Sequence, residues 1–582
     1  MTTSDPGSDA AHDAAEEAAK AADAAEKAAQ EARKRAEELA AAAKQADADA
    51  AAAADPPAVQ SEPEEPAPTK ASEIVELVKA GYSFEGAALE IGALVDGEAV
   101  PEAQVRIPLA MLNRHGLVAG ATGTGKTKTL QVLAEQVSAL GVPVFAADIK
   151  GDLSGIATAG TPNDKLLART RSIGQDWQPV ATPTEYFTLG GLGTGVPIRA
   201  SIDSFGPLLL AKVLGLNETQ ESSLALVFHY ARETKLPLID LGDLRSVLTY
   251  LTGTGKAELK TLGGLSSATA GVILRELIAF SDAGADVFFG QPEIKTSDFL
   301  RTTSDSKGIV SLLEVPSVQD KPALFSTFLM YLLSELFKEL PEVGDTDKPK
   351  LVFFFDEAHL LFKDASKDFL ESVAQTVRLI RSKGVGVFFV TQTPKDVPTD
   401  VLAQLGSRVQ HQLRAHTPDA AKALRATVST YPNSSYDLEE VLTQLAIGEA
   451  IVTVMNEKGA PSPVAWTRVR APQGSMEPTP ADQIAAAVKA SPLLSQYGTA
   501  VNPASAAESI EAKEAAVAKA AQEAAAEKQS WDQEIKRSTR RTRTTSSPTS
   551  RYRRQSPLEK AAGEAARTAA RELIKSIFSR RR

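Results

Sequence analysis

The sequence predicts an α/β fold built around a mainly parallel sheet, of the phosphate-loop type, with a helical insertion and Ala-rich segments at both ends. Three observations carry that expectation. Short apolar runs alternate with helix-period segments from residue 115 to about 470, the order of a sheet wound with crossover helices. The runs are continuous rather than alternating, as in "LVFFF", which suits strands covered on both faces. One run, "GLVAG", enters a glycine-rich loop that leads directly into a helical pattern, the context in which such a loop holds phosphate.

Taken in order, residues 1–72 form an acidic, Ala/Glu-rich tail with 16 acidic and 7 basic residues. Leu39 is the only large aliphatic residue between 10 and 54, so a solvated helix is expected there rather than a heptad seam. "DPPAVQSEPEEPAPTK" reads as an extended linker. Residues 73–114 are expected to be a short β lead-in, two strands turning at Asp96-Gly97. Residues 115–472 form the core. Its strands are "GLVAG", "VPVFAAD" ending at Asp148, "GIVSLLEV" ending at Val315, "LVFFFD" ending at Asp356 and "VGVFFVTQ" ending at Gln392, followed by "EAIVTVM" and "PVAWTRV". Residues 160–307, helix-rich with Gly-rich joints, read as an insertion decorating the sheet. Residues 473–535 read as a linker and an Ala-rich helix, and 536–582 as a basic tail with 15 basic and 3 acidic residues.

The chain has 582 residues, 43% of them hydrophobic, a net charge of −11, six histidines and no cysteine. Disulfides, thiolate zinc sites and cysteine nucleophiles are thereby excluded. The first 20 residues are acidic and lack an apolar signal core, and no uncharged apolar run reaches the ~18 residues of a spanning helix. A cytoplasmic location is expected, with peripheral membrane attachment through the tail as the variant.

The chemistry concentrates in three strings. Gly120, Gly125, Lys126 and Thr127 satisfy GxxxxGK[ST]. In that pattern the backbone N–H groups of Gly120, Ala121, Thr122, Gly123, Thr124, Gly125, Lys126, Thr127 and Lys128 cradle phosphates, Lys126 reaches the β/γ oxygens, and Thr127 ligates Mg²⁺. "TGTGKA" around Lys256 is a decoy: Tyr250 stands where the first glycine is required, and Ala257 replaces the hydroxyl. Downstream, Asp356 at a strand end is expected to support the metal, and Glu357 to polarise water for attack on the γ-phosphate. The next strand ends in Thr391-Gln392, which places Gln392 as a γ-phosphate sensor. Arg378, Arg381, Arg408 and Arg414 follow. Of these, Arg381 and Arg408 are the candidates for an arginine supplied to a neighbouring subunit's site. "DLSG" at Asp152–Gly155 is similar to a GTPase string, but no NKxD accompanies it, so ATP is the expected nucleotide.

The order GATGTGKT, FFFDEAH, "RLIRSKGVGVFFVTQTP" resembles the FtsK/HerA group of P-loop ATPases. The strings "NRHGLVAGATGTGKTKTLQ", "DIKGDLSG" and "GSRVQHQLRA" are similar to those of the bacterial HerA-like ATPases formerly classed as a domain of unknown function. The resemblance covers residues 73–472 approximately. It implies a RecA-like core assembling as a hexameric ring, ATP sites between subunits, and movement of double-stranded DNA. By position, it also gives Lys126, Thr127, Asp356, Glu357 and Gln392 the roles named above, supplies the arginine from Arg381 or Arg408, and sets Asp148 and Lys150 beside the site. "DEAH" at Asp356–His359 does not make this a DEAH-box helicase, because "SAT" at Ser267–Thr269 precedes it and the arginine-rich motif of that class is missing.

Near the C-terminus, Leu558, Ala562, Ala565, Ala569, Leu573 and Ile577 form an apolar stripe with Lys560, Arg567, Arg571 and Lys575 on another face. Partner protein, anionic membrane and nucleic acid are its open alternatives. At the level of function, a ring-forming DNA translocase leads. The alternatives are a membrane-associated or protein-remodelling ATPase and a non-motor ATP-dependent switch.

Overall fold

The structure is a computed structural model. It describes Lys34 and residues 70–541, apart from 261–263, 315–321, 364 and 366. The chain divides into two units, Met1–Thr69 and Lys70–Arg582, and the second carries the fold. Apart from Lys34, the helix expected over residues 10–54 lies outside the described residues, as do the Pro-rich linker and the basic amphipathic helix.

Among the described residues twelve strands form one sheet. In chain order they are β1 (Ala88–Asp96), β2 (Glu98–Pro108), β3 (Gly116–Ala119), β4 (Val144–Asp148), β5 (Thr184–Leu189), β6 (Val196–Ile198), β7 (Val310–Glu314), β8 (Leu351–Phe355), β9 (Val385–Thr391), β10 (Ser407–His411), β11 (Glu449–Thr453) and β12 (Ala465–Val469). Across the sheet the order is β2-β1-β12-β11-β10-β3-β9-β8-β4-β7-β5-β6. Every neighbouring pair from β10 to β6 is parallel. The pairs from β2 to β10 are antiparallel.

The continuous apolar runs are explained by strand alternation. In β8, Leu351, Phe353 and Phe355 join a core with the helices Ile202–Val213, Glu218–Glu233, Pro322–Glu339 and Lys367–Ile380 on one face. Val352 and Phe354 join a second core on the other face with Leu130, Leu133 and Val137 of the helix Lys126–Ala139. Phe145 of β4 stacks on Phe353 with ring centroids 4.6 Å apart. A strand with one solvated face would alternate instead.

Four features differ from the sequence expectation. The hairpin β1–β2 turns at Gly97, where φ is 73°, but its strands are 9 and 11 residues long and β1 pairs with β12, so it continues the main sheet. Residues 160–307 do more than decorate: they contribute β5 and β6, which extend the parallel edge. β5 reads "TEYFTL" and β6 is three residues long, patterns too short or too polar to announce a buried strand. β10, "SRVQH", went unrecognised for the same reason; Val409 is its only large aliphatic side chain. Residues 473–510 are no linker. Val488, Leu493, Tyr497, Ala506 and Ile510 are buried against the two cores, and Tyr497 Oη donates to Asp298 Oδ2 at 2.6 Å. The helix Ala506–Arg541 leaves the core after Ile510, and its side chains from Glu514 to Arg537 are exposed.

Candidate active site

β3 delivers the chain to the C-terminal edge of the parallel strands, where residues 120–125 turn it into the helix Lys126–Ala139. The turn is clamped by the strands on both sides of β3. The Gly120 N–H donates to Thr391 O at the end of β9 (3.2 Å), and the Ala121 N–H to Gln412 O just beyond β10 (2.9 Å). Thr124 donates its hydroxyl to Ala121 O at 2.7 Å, and Lys126 Nζ reaches the same carbonyl at 3.3 Å. No side chain caps the helix at Gly125, so its first N–H groups stay available to an anion.

Beneath the loop lies His411, fully enclosed. Its Nδ1 sits 2.8 Å from Glu449 O, a carbonyl that can only accept, so Nδ1 carries the proton. Nε2 then accepts from Thr129 Oγ1 at 2.9 Å. Burial, with the Lys126 charge nearby, pushes this imidazole down to about 4. A Cβ on Gly120 would stand 2.5 Å from His411 Cβ, so the histidine packs where only glycine leaves room.

β9 separates β3 from β8, and all three are parallel, so Ala119, Thr391 and Phe355 end at one edge. Asp356 and Glu357 follow β8 there. Glu357 holds a left-handed φ of 47°, and its N–H donates to Asp356 Oδ1 at 2.9 Å. Lys150, two residues beyond β4, places Nζ 2.9 Å from Glu357 Oε1. Burial, then the adjacent Glu357 charge, pushes the Asp356 carboxyl up to about 7. Burial also lowers Lys126, against the charges of Glu357 and Asp356, which hold it up. Asp148 at the end of β4 accepts from the N–H groups of Gly151 (2.6 Å), Leu153 (2.7 Å) and Ser154 (3.1 Å). It therefore shapes the loop that presents Lys150. Opposite it, Glu314 of β7 is pushed up to about 8 by burial and by Asp148.

Lys126, Thr127, Asp356, Glu357 and Gln392 thus gather at one edge. Gln392 is exposed between the loop and the acidic pair, and the turn after it is fixed by Thr391 Oγ1 donating to Asp396 Oδ2 at 2.8 Å. Lys128 is the exception within the loop: its Nζ turns to Met476 O at 2.7 Å, leaving only its backbone N–H for phosphate. The arginines scatter. Arg381 precedes β9 and therefore lies at the opposite edge, bonded to Asp345 Oδ1 at 3.1 Å. Arg408, the second residue of β10, donates to Thr430 O at 2.6 Å and covers the Tyr431 ring. Neither faces the loop of its own chain. Arg414 does, donating to Thr122 O at 3.3 Å. The decoy around Lys256 is a short helix whose Glu258 receives the hydroxyls of Tyr230 and Tyr250 at 2.6 and 2.7 Å, within the helical insertion.

His411, Glu449 and Gly448 have no motif to reveal them. They meet the loop through β10 and β11, more than 280 residues downstream. The signal available is positional: "GSRVQHQL" is the fifth segment in chain order similar to the family pattern, and it contains His411.

Comparison with known proteins bears on the same region. The family model described as helicase HerA-like C-terminal matches residues 94–581. A probable helicase of Methanocaldococcus jannaschii is 25% identical over 361 residues, 59% of this chain and 64% of that one. The DNA double-strand break repair helicase HerA of Saccharolobus solfataricus is 26% identical over 392 residues, 66% of this chain and 69% of that one. The alignments thus span about two thirds of those relatives' own lengths. Among solved structures, the bacterial conjugative coupling protein TrwB superposes with a TM-score of 0.46 and 16% identity, covering 70% of this chain and 94% of that one.

Proposed function

Because the chain belongs to the helicase HerA-like C-terminal family, within the HerA/FtsK P-loop ATPases, we propose that it hydrolyses ATP with Mg²⁺ and uses the energy to move double-stranded DNA as a ring. The observation that carries the reading is the convergence at one sheet edge of the loop from β3, the acidic pair from β8 and the exposed Gln392 between them. Lys126 and the free N–H groups of the helix start bind the β- and γ-phosphates.

Asp356 and Thr127 are the residues that would hold Mg²⁺. Asp356 suits the role: its buried carboxyl is pushed up to about 7, which marks a charge site without enough compensation, and an oxygen donor pair matches a hard cation that keeps most of its shell from water and phosphate. Held by these two residues, Mg²⁺ would supply positive charge to offset that of the nucleotide's phosphates. Glu357 orients the attacking water and receives its proton. Lys150, paired with Glu357 in this structure, lies within reach of the same phosphate end. Gln392 bonds the γ-phosphate or the water.

The placement of the two candidate arginines supports the ring reading. Arg381 and Arg408 are bonded away from the loop of their own subunit, which supports a transition-state arginine supplied by a neighbour, while Arg414 is the arginine beside the loop of its own chain. No helix among the described residues is long and apolar enough to cross a membrane. Backbone contact through basic residues gives DNA binding a steep salt dependence. ATPase rates measured against duplex DNA over a salt series test the reading. Stimulation that fades with salt supports it; stimulation by anionic vesicles and not by DNA supports the membrane alternative.

A further inference from the structure

Ile447 is the most exposed large apolar side chain among the described residues, at 72%. A lone exposed isoleucine is ordinary on a protein surface. This one is held rigidly and beside the phosphate loop.

It occupies the first corner of the turn Ala446–Glu449. The Glu449 N–H donates to Ala446 O at 2.9 Å, and the Ala446 N–H to Glu449 Oε2 at 3.2 Å. Gly448 takes the second corner with φ of 76°, the left-handed angle such a turn demands. Its N–H donates to Thr124 O in the loop at 3.0 Å. Its carbonyl accepts from the Val469 N–H at 2.9 Å and from Arg169 at 2.8 Å. The turn therefore cannot fold Ile447 inward without breaking its bond to the loop.

The sheet order sets the direction of a bound nucleotide. Glu357, assigned above to the water that attacks the γ-phosphate, follows β8, so the γ-phosphate end faces that strand, two strands from β3 on one side. β11, which the turn precedes, lies two strands from β3 on the other side. The nucleoside end thus extends toward Ile447. Arg414, exposed and bonded to Thr122 O, borders the same side of the loop.

We infer that Ile447 is the platform for the base of the nucleoside triphosphate, with Arg414 at its rim. The inference rests on the nucleotide reading above and assigns the half of the ligand that the loop motif leaves unassigned. Covering one isoleucine face with a base is worth roughly tenfold in affinity. The test is calorimetric titration of the full chain with ATP and, separately, with inorganic tripolyphosphate, which has the phosphates but no base, in one Mg²⁺-containing buffer.

Ile447→Ser should weaken ATP roughly tenfold and leave tripolyphosphate unchanged, and Ile447→Met should restore ATP to within about threefold of wild type. Equal weakening of both probes would overturn the inference, because the residue would then serve the phosphate loop. So would unchanged ATP affinity with a changed oligomeric mass, which would make Ile447 a contact for a second copy. Wild-type protein that binds neither probe would instead overturn the nucleotide site itself.

Discussion

Glu357 holds a backbone angle that costs a non-glycine residue about 1 kcal/mol or more, and the ion pair with Lys150 is one of the contacts that keep it there. Lys150 was set beside the site only by the family resemblance, whereas Glu357 was legible as a site candidate because an acidic pair at a strand end is a local string. His411 was not, because its role depends on β10 lying against β3. It supplies a residue-scale prediction. The folded protein keeps His411 neutral, with its pKa pushed down to about 4, against an ordinary value of 6.5. Between pH 6.5 and 4 the unfolded chain binds a proton that the folded chain refuses, so this residue's contribution to stability falls as pH drops through that window. His411→Gln should therefore destabilise most near pH 7, and the gap from wild type should narrow by up to about 3 kcal/mol toward pH 4. Urea midpoints at a series of pH values check this; a gap constant with pH would contradict it.

At the scale of elements, the parallel strands β3, β4, β7, β8 and β9 were readable because burial on both faces writes itself as an apolar run. β5, β6 and β10 were not, since each owes its place to neighbours rather than to its own pattern. The turn Ala446–Glu449 is the element on which loop and sheet meet. A Cβ on Gly448 would lie 2.6 Å from the Arg169 guanidinium, at a φ of 76°. Gly448→Ala should cost roughly 1–3 kcal/mol of stability and weaken nucleotide binding through the lost Thr124 bond. Denaturant unfolding, and ATP titration on the protein that remains folded, measure the two effects. An unchanged midpoint with unchanged ATP affinity would show that the turn does not brace the loop.

For the molecule as a whole, the segment after β12 belongs to the fold. Tyr497 and Ala506 are fully buried and Leu493 nearly so, and burying a side chain the size of Leu493 contributes about 1.5–3 kcal/mol. A chain ending at residue 472 should fail to fold or lose most of its cooperativity. One ending at residue 515 should melt like the full chain, since the helix beyond Ile510 is exposed. Thermal unfolding of the two truncations distinguishes them. Composition alone reads as a linker here, because Ala- and Pro-rich segments carry few large apolar residues and the few present gain meaning only from the surface they cover.

The central claim is that the edge formed by β3, β9 and β8 hydrolyses ATP in the service of DNA. It is tested most directly by steady-state ATPase activity with and without double-stranded DNA, for wild type, Lys126→Ala and Glu357→Gln. Turnover should rise with DNA, and salt should suppress that rise. Both substitutions should cut turnover at least ~100-fold, with Glu357→Gln still binding ATP and Lys126→Ala binding it weakly. Turnover that survives Glu357→Gln, or that ignores DNA at every salt concentration, would contradict it.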